Sequence, residues 1–144
     1  MAVRSTSVRT IDLNADAGEG DDERPMGDDA ALIPLVSSVN VACGGHAGDR
    51  TTMARTVALA LRAGVAIGAH PSYPDRDGFG RRPMAIEPAV LAASLADQVG
   101  ALVAVATAAG TRVRHLKPHG ALYHRAAADA TIADRKSTRL NSSH

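Results

Sequence analysis

Three histidines in this chain each follow a short apolar run. His46 lies in Cys43-Gly44-Gly45-His46-Ala47-Gly48-Asp49, His70 in Gly68-Ala69-His70-Pro71 and His119 in Lys117-Pro118-His119-Gly120. A fourth run carries carboxylates instead, Asp12-Leu13-Asn14-Ala15-Asp16-Ala17-Gly18-Glu19. Imidazoles beside carboxylates do two kinds of chemistry: they move protons near neutral pH, or they hold a divalent metal. One histidine after a strand is commonly just a hydrogen-bonded polar residue. Three at successive strand ends, with carboxylates at a fourth, point to one shared site. Asp16, Glu19, His46 and His70 are the candidate general bases, and His119 joins them as a candidate catalytic group. The alternative use of the set is a metal centre drawn from Asp12, Asp16, His46, His70 and His119.

The segment after His70 is the densest in functional groups. Residues 71–82 read PSYPDRDGFGRR, with two of the three aromatics, Tyr73 and Phe79, and the cations Arg81 and Arg82. The third aromatic is Tyr123, and Lys117 sits at another strand end. Such loops are where α/β proteins place binding groups. Lys117, Arg81 and Arg82 suit charge that develops on a phosphoryl group. Cys43 is the single cysteine, so no internal disulfide forms. As a nucleophile it would need activation, and a small buried residue is the favoured reading. His115, inside a strand, reads as a packed, hydrogen-bonded histidine; His124 and His144 read as surface residues.

Positioning these groups takes alternating strands and helices. Thr10 to Leu13 is a short β-like run before an acidic loop, and eight of the 15 carboxylates fall between Asp12 and Asp29. Asp28 and Asp29 can cap a helix over Ala30 to Leu35. Val39 to Cys43 is a second strand. Asp49 caps a helix over Arg50 to Ala63, with Met53, Val57, Ala60 and Leu61 on one face and Gly64 after its end. Val65 to Ala69 is the third strand, stopped by Pro71. A long helix begins near Glu87-Pro88 with the stripe Leu91, Leu95, Val99 and Leu102, and ends at Gly110. Val113 to Lys117 is the fourth strand, and Arg125 to Ala133 a last, weakly amphipathic helix. The βα alternation predicts an α/β fold with a parallel sheet and outer helices.

With 144 residues the chain holds one domain. A net charge of +1 provides no field for nucleic acid or for an anionic membrane surface. The N-terminus lacks an apolar signal core, and no uninterrupted apolar run reaches membrane-spanning length. The expectation is a cytoplasmic protein. No G-x-x-x-x-G-K-[ST] motif is present, so a nucleotide site would be of another type or belong to a partner.

Read together, D-L-N-x-D-x-G-E at 12–19, G-D-D with L-x-P-L-V at 27–36, N-V-A-C-G-G-H-A-G-D at 40–49, G-A-H-P-S-Y-P-D with G-F-G-R-R at 68–82 and K-P-H-G-A-L-Y at 117–123 resemble the LamB/YcsF family. The resemblance spans about residues 10–133. It implies a distorted (β/α) barrel of the glycoside hydrolase/deacetylase-like type. The implied reaction is opening of the 5-oxo-L-proline lactam to L-glutamate with ATP hydrolysis, as the A subunit of a 5-oxoprolinase that works with subunits B and C. The implied cofactor is ATP, beside the divalent metal the residues themselves allow. Asp12, Asn14, Asp49, Tyr73, Phe79, Arg81, Arg82, Lys117 and Tyr123 become candidate contacts to substrate or ATP. Two other functions remain open at this point. One is a metal-dependent deacetylase-like amide hydrolase that needs no ATP. The other is a non-catalytic binding subunit whose histidines only shape a pocket.

Barrels of this class need about 250 residues, and four βα units give part of one. The expected domain is therefore a partial barrel over residues 1–133, with open strand edges and doubtful activity by itself. Residues 134–144, DRKSTRLNSSH, change to a polar string unlike the family pattern. That string is expected to be disordered or foreign read-through.

Overall fold

The computed structural model describes residues 7–20 and 27–129. Most of the acidic loop and the polar string 134–144 lie outside the described residues. Strands β1 (Asn14–Ala17), β2 (Ser38–Ala42), β3 (Ala66–His70) and β4 (Val113–Leu116) form one parallel sheet in the order β1-β2-β3-β4. Each strand thus lies beside its neighbour in sequence. The connections run through α1 (Asp29–Leu32) with a 3-10 turn (Ile33–Leu35), α2 (Arg50–Ala63) and α3 (Pro88–Ala108); α4 (Gly120–Ala128) follows β4. The parallel α/β fold is the one expected from the alternation, and all four strands end on the same edge of the sheet.

Several boundaries differ from the sequence reading for physical reasons. β1 starts at Asn14, not Thr10, because Ile11 and Leu13 have no wall to pack on: they are 82% and 53% exposed. Leu13 is tied instead to Ser37. Its N–H donates to the Ser37 hydroxyl at 2.8 Å, and its carbonyl accepts from the Ser37 N–H at 2.9 Å. The helix expected over Ala30 to Leu35 tightens into the 3-10 turn at Pro34, which has no N–H to continue an α-helix. α4 runs from Gly120 rather than Arg125. Leu122, 1% exposed, anchors its first turn against Tyr73 and Leu91, which a weak apolar period could not reveal.

The core lies between the sheet and the helices α2 and α3. Val39 and Val41 of β2, Ile67 and Ala69 of β3, Met53, Val57 and Ala60 of α2, and Val99, Leu102 and Val105 of α3 form one buried cluster. β2 is buried at every position, as a central parallel strand must be. Leu61, expected on the inner face of α2, is 46% exposed. Asp49 caps α2 by accepting from the Thr52 N–H at 2.7 Å. By length and composition α3 could cross a membrane. Here it is a layer helix, with Val99, Leu102 and Val105 packed in the cluster that contains the sheet.

α4 docks on the segment after β3 by backbone contacts. Ala121 N–H donates to the Gly80 carbonyl at 3.0 Å, and His119 N–H to the Pro71 carbonyl at 2.8 Å. Gly120 permits this approach: its φ is +57°, and a Cβ there would stand 2.5 Å from the Gly80 oxygen. His119 is thereby held between the fourth strand and the loop that follows the third.

Candidate functional site

The common strand edge gathers a compact polar cluster. β1 supplies Asp16, and the turn after it supplies Glu19. The turn after β2, closed by Gly44 N–H to the Ala47 carbonyl at 2.8 Å, supplies His46. β3 ends in His70, and the residues after β4 supply Lys117 and His119. His46, His70 and His119 are all buried. The His46 and His119 rings stack at 3.6 Å between centroids, and His70 stands edge-on to both, at 5.4 and 4.9 Å. Phe79 closes one side, edge-on to His46 and His119.

Backbone carbonyls fix the proton positions on two of these rings. His70 Nδ1 lies 2.6 Å from the Lys117 carbonyl, and His119 Nε2 lies 2.8 Å from the Phe79 carbonyl. A carbonyl oxygen only accepts, so each of these nitrogens carries its hydrogen. In the neutral rings the opposite nitrogens are then lone pairs. Those two, His70 Nε2 and His119 Nδ1, face each other at 3.1 Å. Two bare lone pairs at that distance repel. The gap therefore calls for a cation, either a shared proton or a metal ion.

Carboxylates surround the same gap. Asp16 Oδ2 is 3.4 Å from His70 Nε2, and Glu19 Oε2 is 3.8 Å from His119 Nδ1. Glu19 Oε2 also sits 2.9 Å from His46 Nε2. His46 Nδ1 is the buried side-chain nitrogen without a partner among the described residues. A donating Nε2–H towards Glu19 leaves that orphan as a lone pair, which costs less than an unpaired N–H. Ligand atoms of Glu19, His46, His70 and His119 all lie within 4.8 Å of one another. Two nitrogens bound to one zinc at about 2.0–2.1 Å stand roughly 3–3.4 Å apart, so the His70–His119 spacing fits a metal.

Burial and charge set the ionisation of the cluster. Burial pushes the Asp16 carboxyl up, but the His70 ring, the Asn40 amide and the Lys117 ammonium outweigh it and hold the group far below the usual carboxylate range. Glu19 follows the same pattern: burial raises it, and His46 with the other histidines lowers it by more. Burial drives His46 down against the pull of Glu19. It drives His119 down to about 4, helped by repulsion from His46. Both carboxylates are thus held ionised, and Lys117 Nζ donates to Asp16 Oδ1 at 3.0 Å. Lys117 and Asp16 are also the site's most open members, with side chains 40% and 32% exposed, against 14% for Glu19. A ligand from solvent meets those two groups first.

The remaining sequence candidates divide by position. Phe79 touches the cluster, and the Arg81 guanidinium lies 4.9 Å over its ring. Arg82 is turned to Asp75, donating from Nε at 3.0 Å, and so braces the loop. Asn14 stands lower in the sheet, donating to Ser38 Oγ at 2.8 Å. Asp12 is not brought to the cluster. It precedes β1, at the opposite end of the strands, and accepts from Ser37 and Ser38. Asp49 is occupied as the α2 cap, Tyr73 is core, and Tyr123 is exposed beside His124. Burial pushes the Cys43 thiol up to about 12, which removes it as a nucleophile at neutral pH. Asn40 was not among the sequence candidates; it reaches Asp16 from the middle of β2.

His115 gives a pH prediction that does not involve the cluster histidines. Burial lowers it from 6.5, with Asp12 opposing. A histidine whose folded value lies below its unfolded value favours folding fully above about 6.5 and loses that contribution as pH falls. Urea melts of the 144-residue chain from pH 7.5 to 5 should therefore show stability falling less in His115→Gln than in wild type. Parallel pH curves would contradict this.

A parallel sheet with outer helices and its polar cluster at the strand C-termini is the wall of a partial (β/α) barrel, with its site where such barrels carry theirs. The chain belongs to the LamB/YcsF family, which it matches over residues 11–142. It is 58% identical over 127 residues to the A subunit of 5-oxoprolinase from Methylococcus capsulatus, covering 88% of this chain and 49% of that one. It is 53% identical over 124 residues to the corresponding 5-oxoprolinase A subunit of Chloroflexus aggregans, covering 86% and 49%. The crystal structure of a lactam utilization protein from Thermus thermophilus superposes with a TM-score of 0.87 at 45% identity, covering 93% of this chain and 54% of that one. The chain thus spans about half the length of the curated relatives it matches.

Proposed function

We propose that this chain carries part of the active site of the A subunit of a cytoplasmic 5-oxoprolinase. That enzyme would open the lactam of 5-oxo-L-proline to L-glutamate with cleavage of ATP, together with subunits B and C. One observation carries the reading: an ionised, solvent-reachable Asp16–Lys117 pair backs onto the Glu19–His46–His70–His119 cluster, in a chain 58% identical to a protein of that name.

The lactam is a stable amide, so its carbonyl must be activated before water attacks. Transfer of the γ-phosphoryl group of ATP to the amide oxygen makes that oxygen a leaving phosphate. One water adds to the same carbon and the C–N bond breaks with protonation of nitrogen, leaving an acyl phosphate, which a second water hydrolyses to the carboxylate and inorganic phosphate. Lys117 faces the negative charge that builds on the phosphorylated oxygen. Asp16 orients the attacking water and accepts its proton. His46 holds Glu19, and the backbone carbonyls of Lys117 and Phe79 hold His70 and His119, so nothing need reorganise during the reaction. Arg81, over Phe79, is the cation placed for the substrate carboxylate or a phosphate. No Walker-type loop is present in the sequence, so ATP would reach the site from another kind of loop or from one of the partner proteins.

His70, His119 and Glu19 would hold a divalent metal, with His46 bracing Glu19. A bound metal would acidify water and polarise the lactam oxygen, which suits a carboxylate as weakly basic as Asp16. The same donor set supports a second reading, a metal-dependent amide hydrolase that needs no ATP. Dependence on ATP separates the two.

The test is a full-length relative, such as the Methylococcus capsulatus protein, purified with subunits B and C. Glutamate and inorganic phosphate should form together from 5-oxo-L-proline, only with ATP and only when this relative is present. Glutamate without ATP would favour the second reading. Undiminished turnover with the relative omitted would leave it a binding role and overturn the proposal.

A further inference from the structure

Four residues at equivalent positions form one row across the sheet. The register pairs Asp16 with Asn40, Asn40 with Gly68, and Gly68 with His115. Gly68 is the gap in the row. A Cβ there would stand 2.1 Å from His115 Nε2, so only a glycine lets the imidazole lean across β3. The ring reaches Asn40 Oδ1 at 2.8 Å, and Asn40 Nδ2 donates to Asp16 Oδ1 at 2.9 Å. Asn40 is fully buried, so this amide has no water to turn to.

We propose that Asn40 is a positioning residue for Asp16, with His115 as its backing. The inference rests on the role given to Asp16 above. An ionised carboxylate only accepts, so Asp16 fixes the Asn40 amide with Nδ2 towards itself. Oδ1 then faces β4, which requires the hydrogen of His115 to be on Nε2. The chain of donors runs from His115 through Asn40 to Asp16, and Asn14 joins it from β1, donating to Asn40 Oδ1 at 3.3 Å and accepting from Asn40 Nδ2. Asn40 and Lys117 both load Oδ1 of Asp16. Oδ2 is left directed at His70 and open to water or substrate. Without Asn40 the carboxylate could rotate about its last bond and present either oxygen. The residue acts through Asp16 and touches no reacting atom.

The experiment has a kinetic and a spectroscopic arm. In the full-length Methylococcus capsulatus complex, Asn40→Asp at the matching position keeps the shape and replaces the donor by an acceptor. It is expected to lower kcat about 10- to 100-fold, the loss of one hydrogen bond to a charged group, with KM within about twofold. His115→Leu should lower kcat in the same direction, and His115→Gln, whose amide can still donate, should restore most of it. Unchanged kcat in Asn40→Asp, or equal kcat in the Leu and Gln variants, would overturn the proposal. In this chain, nitrogen-15 NMR of the histidines should show His115 as the Nε2–H tautomer, released in Asn40→Leu. An Nδ1–H ring in wild type, or no change in the variant, would overturn it as well. If wild-type complex shows no turnover, the function proposed above fails and the NMR arm decides this inference alone.

Discussion

Replacing His70 by alanine in a full-length relative is expected to cut turnover about 10²- to 10⁴-fold, the range of a positioned acid–base or cation-holding group. The ring is central to the site. Nδ1 is tied to the Lys117 carbonyl, Nε2 faces His119, and Asp16 lies beside it. Alanine removes one side of the lone-pair gap and the neighbour that Asp16 leans on. The fold should survive, because the wall of the buried cluster is aliphatic and His70 is not part of it. The freed Lys117 carbonyl costs about 1–3 kcal/mol if buried without water. Kinetics of the reconstituted complex, with circular dichroism melts of both proteins, separate the two effects. Turnover within threefold of wild type in a folded variant would contradict the role.

Leu102→Ala is expected to have the largest effect on stability. Leu102 is 0% exposed at the middle of α3, in one cluster with Val57, Ile67, Val99 and Val105. Truncating a buried leucine costs about 2–5 kcal/mol, part transfer and part cavity. Domains hold only about 5–15 kcal/mol in reserve, so the loss is a large share of the whole. Leu61→Ala is the control: its side chain is 46% exposed and should cost far less. Urea denaturation of this chain and both variants gives the comparison. Equal midpoints for Leu102→Ala and Leu61→Ala would show that α3 does not pack as described.

The sheet was legible because β2 and β3 are short apolar runs bounded by glycine and proline, and because Asp49 and Gly64 punctuate α2. The site was legible in outline for a related reason. Chemistry-bearing residues followed those runs, and parallel strands send all such positions to one edge. Asp16, Glu19, His46, His70, His119 and Lys117 were all readable in this way. Asp12 was not separable from Asp16, since both sit in one acidic motif and only the start of β1 at Asn14 puts them at opposite ends. Tyr73 looked like a loop aromatic because its partners, Leu91 and Leu122, come from distant helices. Asn40 and Gly68 were hidden for the opposite reason. A single polar residue and a glycine inside buried strands give no local signal. Their meaning appears only when the register lines them up with Asp16 and His115.

The central proposal is that the facing nitrogens of His70 and His119, with Glu19, hold a divalent metal ion rather than a shared proton. Calorimetric titration of zinc or manganese into chelator-treated protein tests it most directly, run on wild type, His119→Gln and Glu19→Gln. The account predicts one ion per chain in wild type, with affinity weakened at least tenfold in each variant. No binding to the wild-type protein, or binding that both variants leave unchanged, would contradict it.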